Sequence, residues 1–315
     1  MVKDQDLRFG LAVSAQMIPF SEAVEQCQRA EELGYDLIVM GDMFCNIIRA
    51  GDPMFDAWTT LAALATKTTK MRLSTLVTNF VSRHPTLVAR QVHSVDHISG
   101  GRVEVGLGAG SIPLDHTMAG VESWSVRERV DRFREAVQIV DHLLRNEVTS
   151  FEGQYYRTEK AVLVPASIQH PRPPITIAAA GDRMLRITAE FADCWNTTAA
   201  APPKHSTGGP LTAKEALEEV KRQSEQLDRY CEALNRNPGD IRRSLFVGWD
   251  MADAPTESVD AFHDFVGKYR EIGISEFIFM WFPEGYQDAM GERMRLLDRK
   301  MVERLALDAI PVYRS

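Results

Sequence analysis

Cysteine is scarce in this chain. Its 315 residues hold four, Cys27, Cys45, Cys194 and Cys231, far apart and with no pair at two-residue spacing. That pattern excludes a disulfide framework and a cysteine-built zinc site, and it reads as reduced thiols. An apolar run of membrane-spanning length is also missing. So is an excess of basic charge: 36 Lys and Arg stand against 44 Asp and Glu, a net charge of -8. A general surface for nucleic acid or anionic membrane is therefore excluded, although a local phosphate pocket is not. The opening stretch MVKDQDLRFGLAV enters a strand directly, without the basic and apolar regions of a secretory signal. The expectation is a soluble, cytoplasmic protein with a small-molecule partner.

What is present is a β/α rhythm. With 44% hydrophobic residues the chain can bury one large core. Strands are predicted at Arg8–Ala15, Leu37–Met40, Met71–Thr78, Arg102–Gly108, Pro174–Ala180, Asp193–Asn196, Ser244–Asp250 and Glu276–Phe282. Continuous apolar runs such as LIVM suit strands buried on both faces. Helices alternate with them, at Ser21 to Gly34 with Ser21 as cap, 55–67, Thr86–His97, Val126–Arg145, Arg183–Phe191, Ala213–Leu234, Ser258–Glu271 and Gln287–Leu305. Eight such pairs imply a (β/α)8 TIM barrel, an α/β fold, with an open doubly wound sheet as the competitor. Residues 1–315 are expected to form a single domain, with insertions after strands 4 and 6 (Ile112–Ser125 and Thr197–Thr212). A hairpin before strand 5 is expected within Asn146–Pro173, at the barrel end opposite the strand C-termini.

In a barrel, chemistry sits at the C-terminal strand ends. Asp42 follows the second strand, either as a catalytic or cofactor group or as a loop cap. Thr75, Leu76, Val77, Thr78 and Asn79 follow the third, offering hydroxyl and amide groups to the edge of a heterocycle. The fourth ends in Gly106-Leu-Gly-Ala-Gly110, which fails the dinucleotide fingerprint because its third glycine would be Ser111. It reads instead as a flat floor beneath a ring. Ala179, Ala180 and Gly181 lead into a helix whose exposed N–H groups suit a phosphate, and Arg183 adds a cation.

These residues carry a family resemblance. The VTN and RHP pairing followed by LVARQVHSVDHISGGRVEVGLGAG resembles the luciferase-like monooxygenase superfamily. FEGQYY, the Pro165 to Ile177 run and GDRMLRITAEFADCWN agree with it in order. The RHP form and the LGAG ending look most like the branch that uses the deazaflavin coenzyme F-420; the branch using FMN is the alternative. The resemblance implies a ring held at the barrel mouth, lined by Asp42, Ala109 and Gly110, with its phosphate at Ala179, Ala180 and Gly181. It also implies a non-proline cis peptide after the third strand, matching Thr75-Leu76, and a homodimer.

Two departures bear on the chemistry. The family often has Asp-His after the second strand, the histidine acting as base in sugar-phosphate dehydrogenases. This chain has Asp42-Met43, and methionine cannot take a proton. After GAG, Ser111-Ile-Pro-Leu-Asp115 replaces an aromatic or acidic residue, which leaves Asp42 and Ser111 as catalytic candidates, with Asp115, His116 or water as further proton sources. His84 reads as a helix cap. His93 and His97 have metal-ligand spacing without a third ligand, so no metal site is predicted. Trp195, Trp249 and Met280-Trp281 either wall a substrate cavity or plug the barrel. The resulting expectation is an F-420-dependent oxidoreductase moving a hydride to or from a small, largely apolar molecule. The alternatives are an FMN-dependent monooxygenase fed by a partner reductase, and a non-catalytic flavin- or deazaflavin-binding protein.

Overall fold

The computed structural model describes residues 7–14, 17–46, 51–198, 211–248, 253–283, 286–290, 297 and 299–314. Trp249, most of the insertion after Thr198 and part of the expected last helix lie outside them. The elements run β1 (Arg8–Val13), α1 (Phe20–Glu32), β2 (Leu37–Met40), α2 (Ala57–Ala65), β3 (Arg72–Thr75), α3 (Pro85–Ser99) and β4 (Val105–Leu107). They continue with α4 (Pro113–Ala119), α5 (Val126–Arg145), β5 (Thr149–Glu152), β6 (Arg157–Ala161), β7 (Ile175–Ala178), α6 (Asp182–Phe191) and β8 (Cys194–Thr198). The last are α7 (Ala213–Ala233), β9 (Arg242–Val247), α8 (Val259–Glu271), β10 (Glu276–Trp281), α9 (Tyr286–Met290) and α10 (Arg299–Arg304).

Eight of these strands are parallel neighbours in the order β3-β2-β1-β10-β9-β8-β7-β4. The edges meet through bridges Leu73 to Val103 and Thr78 to Leu107, which closes the sheet into a (β/α)8 barrel. Strand alternation sorts the side chains. Phe9, Leu11 and Val13 point outward into the large core shared with the helices. Ala12, Leu37, Val39, Ile278 and Met280 point inward and form a small apolar layer on the barrel axis. At the N-terminal end of the barrel the interior is ionic. Arg8 bonds Glu104 at 3.0 Å and Glu276 at 3.2 Å, and Arg72 pairs with Glu104. Burial opposes the Glu104 charge, but the two guanidiniums hold its carboxyl below the usual range.

Helix boundaries follow their caps. His84 caps α3, its ring accepting from Thr86 N–H, with Pro85 in the first turn and Gly100 left-handed at the end (φ 66°). Ser125 caps α5, and Thr212 with Glu215 forms a capping box on α7. Ser21 does not cap α1: the chain turns at Pro19, and the helix begins one residue before the serine. Proline fixes the entry dihedral without a side-chain oxygen, so the hydroxyl is not needed.

The hairpin of β5 and β6 starts at the expected end of the barrel, because α5 delivers the chain there. It then climbs the outer wall. Its turn is held by Glu135 of α5, which accepts N–H groups from Gln154, Tyr155 and Tyr156 at 2.8–3.0 Å. Tyr156 meets the ring of His84 edge-on, with centroids 5.3 Å apart, so the turn reaches the level of the start of α3. His93 and His97 donate to the carbonyls of Pro165 and Ala166, fastening the segment behind the hairpin. Their four-residue spacing thus serves a clamp.

Candidate active site

The mouth of the barrel is shaped by a bulge after β3. Leu76 N–H still donates to Met40 at 2.7 Å, so strand geometry persists through Thr75; Thr78 N–H then donates to Gly106 at 2.7 Å. Between these anchors lies a non-proline cis peptide, Leu76-Val77. The bond expected at Thr75-Leu76 is therefore one residue further on, because β2 holds the chain in register up to the Leu76 amide. The threonines are also used differently from expectation. Thr75 Oγ1 lies 2.8 Å from Thr78 Oγ1 and donates to the Gly106 carbonyl at 3.0 Å. Both hydroxyls are buried, and their bonds tie the bulge to β4.

The same bulge explains the bare stretch of β4. A Cβ on Gly106 would collide with the Thr75 carbonyl oxygen, and one on Gly108 would stand 2.5 Å from Val77 Cγ2. These glycines admit the protein's own bulge, and only Ala109 and Gly110, partly exposed, face the mouth. Gly110 is left-handed (φ 71°), and its carbonyl is held by Arg129 of α5.

Asp42 and Asp115 are organised by Asn79. The Asn79 backbone N–H donates to Asp42 Oδ2 at 3.0 Å, and its side-chain amide donates to Asp115 Oδ2 at 2.7 Å. Asp115 also accepts Phe44 N–H at 3.0 Å, so one carboxylate ties α4 to the loops after β2 and β3. Arg83, from the RHP run, donates to Asp42 Oδ1 at 2.7 Å and pairs with Asp56. Burial nevertheless dominates at Asp42, pushing its pKa up to about 6 against the pull of Arg83. Arg83 was not among the expected site residues, although the RHP motif contained it; Asn79, expected to offer its amide to a heterocycle edge, donates instead to the two carboxylates. Ser111 is exposed at the head of α4. His116, buried, contacts the Glu122 carbonyl through Nδ1 at 3.1 Å and packs edge-on against Trp124.

Across the mouth, β4 and β7 are register-paired through Leu107 and Ile177, so their small-residue ends leave the barrel side by side. Ala179 is buried; its N–H donates to Asn196 and its carbonyl accepts the indole of Trp195 at 2.8 Å. Trp195 lies in the outer core and Met280 in the inner layer, so neither walls the mouth as a pair. Ala180 and Gly181 are exposed, and Gly181 opens α6 with no side-chain cap. A Cβ on Gly181 would meet nothing within 4 Å. Arg183 pairs with Asp131 of α5. The nearby carboxylate of Asp182 is taken up by Tyr230 and Arg186. Among the described residues, no cluster of three or more His, Cys, Asp or Glu side chains is placed to hold a metal ion.

The mouth of the barrel thus combines a bulged third strand, a buried aspartate after the second and an uncapped helix at a glycine turn. The model of the luciferase-like monooxygenase family matches residues 7–301, and the chain belongs to that family. It is 30% identical over 276 residues to the F420-dependent glucose-6-phosphate dehydrogenase of Intrasporangium calvum, covering 84% of this chain and 80% of that one. The enzyme of the same name from Nakamurella multipartita is 29% identical over 232 residues, 72% of this chain; the match spans 66% of its length, just under two thirds. Among solved structures, an F420-dependent secondary alcohol dehydrogenase holding an F420–acetone adduct superposes with a TM-score of 0.78 at 18% identity, covering 99% of this chain and 100% of that one. The tetrahydromethanopterin reductase of Methanopyrus kandleri gives 0.73 at 16%, covering 98% and 100%. At those identities the structures report the shared fold.

Proposed function

We propose that the protein is a coenzyme F-420-dependent oxidoreductase that moves a hydride to or from a small, largely apolar organic molecule. The observation that carries this reading is the side-by-side exit of two stripped segments, Ala109-Gly110 and Ala180-Gly181, at the barrel mouth. The residues fit a flat ring with an anionic tail on two counts. The open space over Gly181 leaves the first N–H groups of α6 free of any side-chain cap, a setting that favours a phosphate. Leu76, partly buried, packs on the inner apolar layer and offers a ring an apolar seat. The family relatives named for F-420 support the deazaflavin over FMN.

The bound coenzyme supplies the hydride chemistry itself. The chain's own residues position and exclude. Ala109 and Gly110 allow close approach, and Ala180 and Gly181 receive the phosphate. Arg183, paired with Asp131, acts by holding α6 against α5. Asp42, with a pKa near 6, can hold or release a proton within reach of neutral pH. Met43 cannot, so substrates that must lose a hydroxyl proton to a base at that position are disfavoured, and unsaturated, imine or carbonyl compounds are favoured. Ser111 stands at the rim as the hydroxyl closest in sequence to the glycine run. A homodimer in the cytoplasm completes the proposal. The net charge of -8, and the lack among the described residues of a helix long and apolar enough to cross a membrane, agree with a soluble setting.

The test is titration of the purified protein with oxidised coenzyme F-420 and with FMN, followed by fluorescence. Tight F-420 binding is expected. Tight FMN binding with no affinity for F-420 would replace this reading with the oxygen-using one.

A further inference from the structure

Threonine hydroxyls at the barrel mouth are spent on the protein itself, since Thr75 and Thr78 bond each other and Gly106. Thr197 likewise bonds Gln223 at 2.7 Å, and Asn196 donates to Ser244 at 2.9 Å. One buried hydroxyl near the mouth is different. Ser14 is 0% exposed, and its Oγ has no hydrogen-bond partner. A hydroxyl buried without a partner costs about 1–3 kcal/mol, so its retention at a strand end calls for a physical reason.

The direction of Ser14 follows from strand alternation. Val13 belongs to the outer core and Ala12 to the inner layer with Val39 and Met280. Ser14, one step beyond β1, therefore faces the axis on the C-terminal side of that layer. Leu76, which begins the cis bulge, packs on the same layer from β3. β1 and β3 flank β2, so Ser14 and the bulge border one floor. The Ser14 backbone carbonyl accepts from Met17 N–H at 2.7 Å, whereas the side-chain Oγ has no partner.

We infer that Ser14 is a binding residue whose hydroxyl donates a hydrogen bond to a ring carbonyl of the coenzyme. A flavin-like ring carries carbonyl oxygens along one edge, and an apolar floor can offer them little else. This inference rests on the function proposed above.

The experiment compares wild type with Ser14→Ala by thermal melting without ligand and by coenzyme F-420 titration. Removing an unpaired buried hydroxyl raises the melting temperature of the free protein, by roughly 1–3 °C. Losing one hydrogen bond to the ring weakens F-420 affinity by about three- to tenfold. The opposite signs are the signature, because a serine with a structural partner would lower both. Equal F-420 affinity in the two proteins overturns the inference, and so does a variant that melts lower than wild type. A wild type that binds neither F-420 nor FMN overturns the underlying functional reading as well, and is recognised before the variant is compared.

Discussion

Asn79 joins two buried carboxylates that belong to different loops, giving its backbone N–H to Asp42 and its side-chain amide to Asp115. The residue is the crosspiece of the mouth. Replacing it leaves Asp115 with one donor fewer inside a buried site, which costs more than the bond itself. Asn79→Ala is expected to lose about 2–3 kcal/mol in urea unfolding and to weaken coenzyme affinity severalfold. Unchanged unfolding would show that the crosspiece carries no strain-bearing role.

Asp42 makes the protein sensitive to pH in a definite direction. Its folded pKa is pushed up to about 6 from an ordinary 3.8. The folded state therefore favours the protonated form, so this group's stabilisation is present below about pH 4 and is lost as pH rises through 6. Asp42→Asn should not show that loss. The difference in unfolding free energy between variant and wild type should grow across pH 4–6 in the variant's favour, by at most about 3 kcal/mol, and then stay level. A difference independent of pH would mean that Arg83 fully offsets the burial.

The two glycines of β4 and the glycine of α6 should respond oppositely to an added methyl group. Gly106→Ala collides with backbone, which cannot swing aside, and is expected to cost more than about 3 kcal/mol or to prevent folding. Gly181→Ala meets open space and should be within about 0.5 kcal/mol of wild type. Its effect should appear only in binding of the phosphate. Comparing coenzyme F-420 with its deazaflavin core, which lacks the phosphate-bearing tail, isolates it.

Met43→His tests the missing base. Placing an imidazole beside Asp42 should raise the rate of F-420 reduction by a secondary alcohol at least tenfold above pH 7, where imidazole is neutral. Equal rates would locate the deficit elsewhere.

At the other end of the barrel, Glu104→Ala should leave the half-buried Arg8 and Arg72 without their shared partner, Arg8 keeping Glu276 and Arg72 keeping Gln169. A loss of about 3–5 kcal/mol in stability is expected, with coenzyme affinity unchanged in whatever fraction remains folded.

How far the sequence revealed this molecule depended on which force set each feature. Leu37–Met40 and Val126–Arg145 were predicted to the residue, because continuous burial and a 3.6-residue stripe are written in apolar spacing. The cap of α1 was missed because Pro19 needs no hydroxyl to begin a helix. Thr75 and Thr78 sat in the right place but were given the wrong partners. Their bonds to each other and to β4 arise from the closing of the sheet, which leaves no mark on local sequence. The glycine run was read as a ligand floor, and half of it answers to Val77 and the Thr75 carbonyl, a contact between strands that pair only through isolated bridges. Ser14 carried no motif, and only its burial without a partner sets it apart.

The guanidinium of Arg132 lies 4.4 Å from the ring centres of both Trp124 and Tyr155. Trp124 closes the insertion after β4, and Tyr155 belongs to the hairpin turn that α5 carries. Anyone transplanting substrate loops between such barrels would treat these as separate modules, since 30 residues of chain divide them. The shared cation makes them one graftable unit, and a chimera that takes the insertion without the hairpin turn inherits half of a stack.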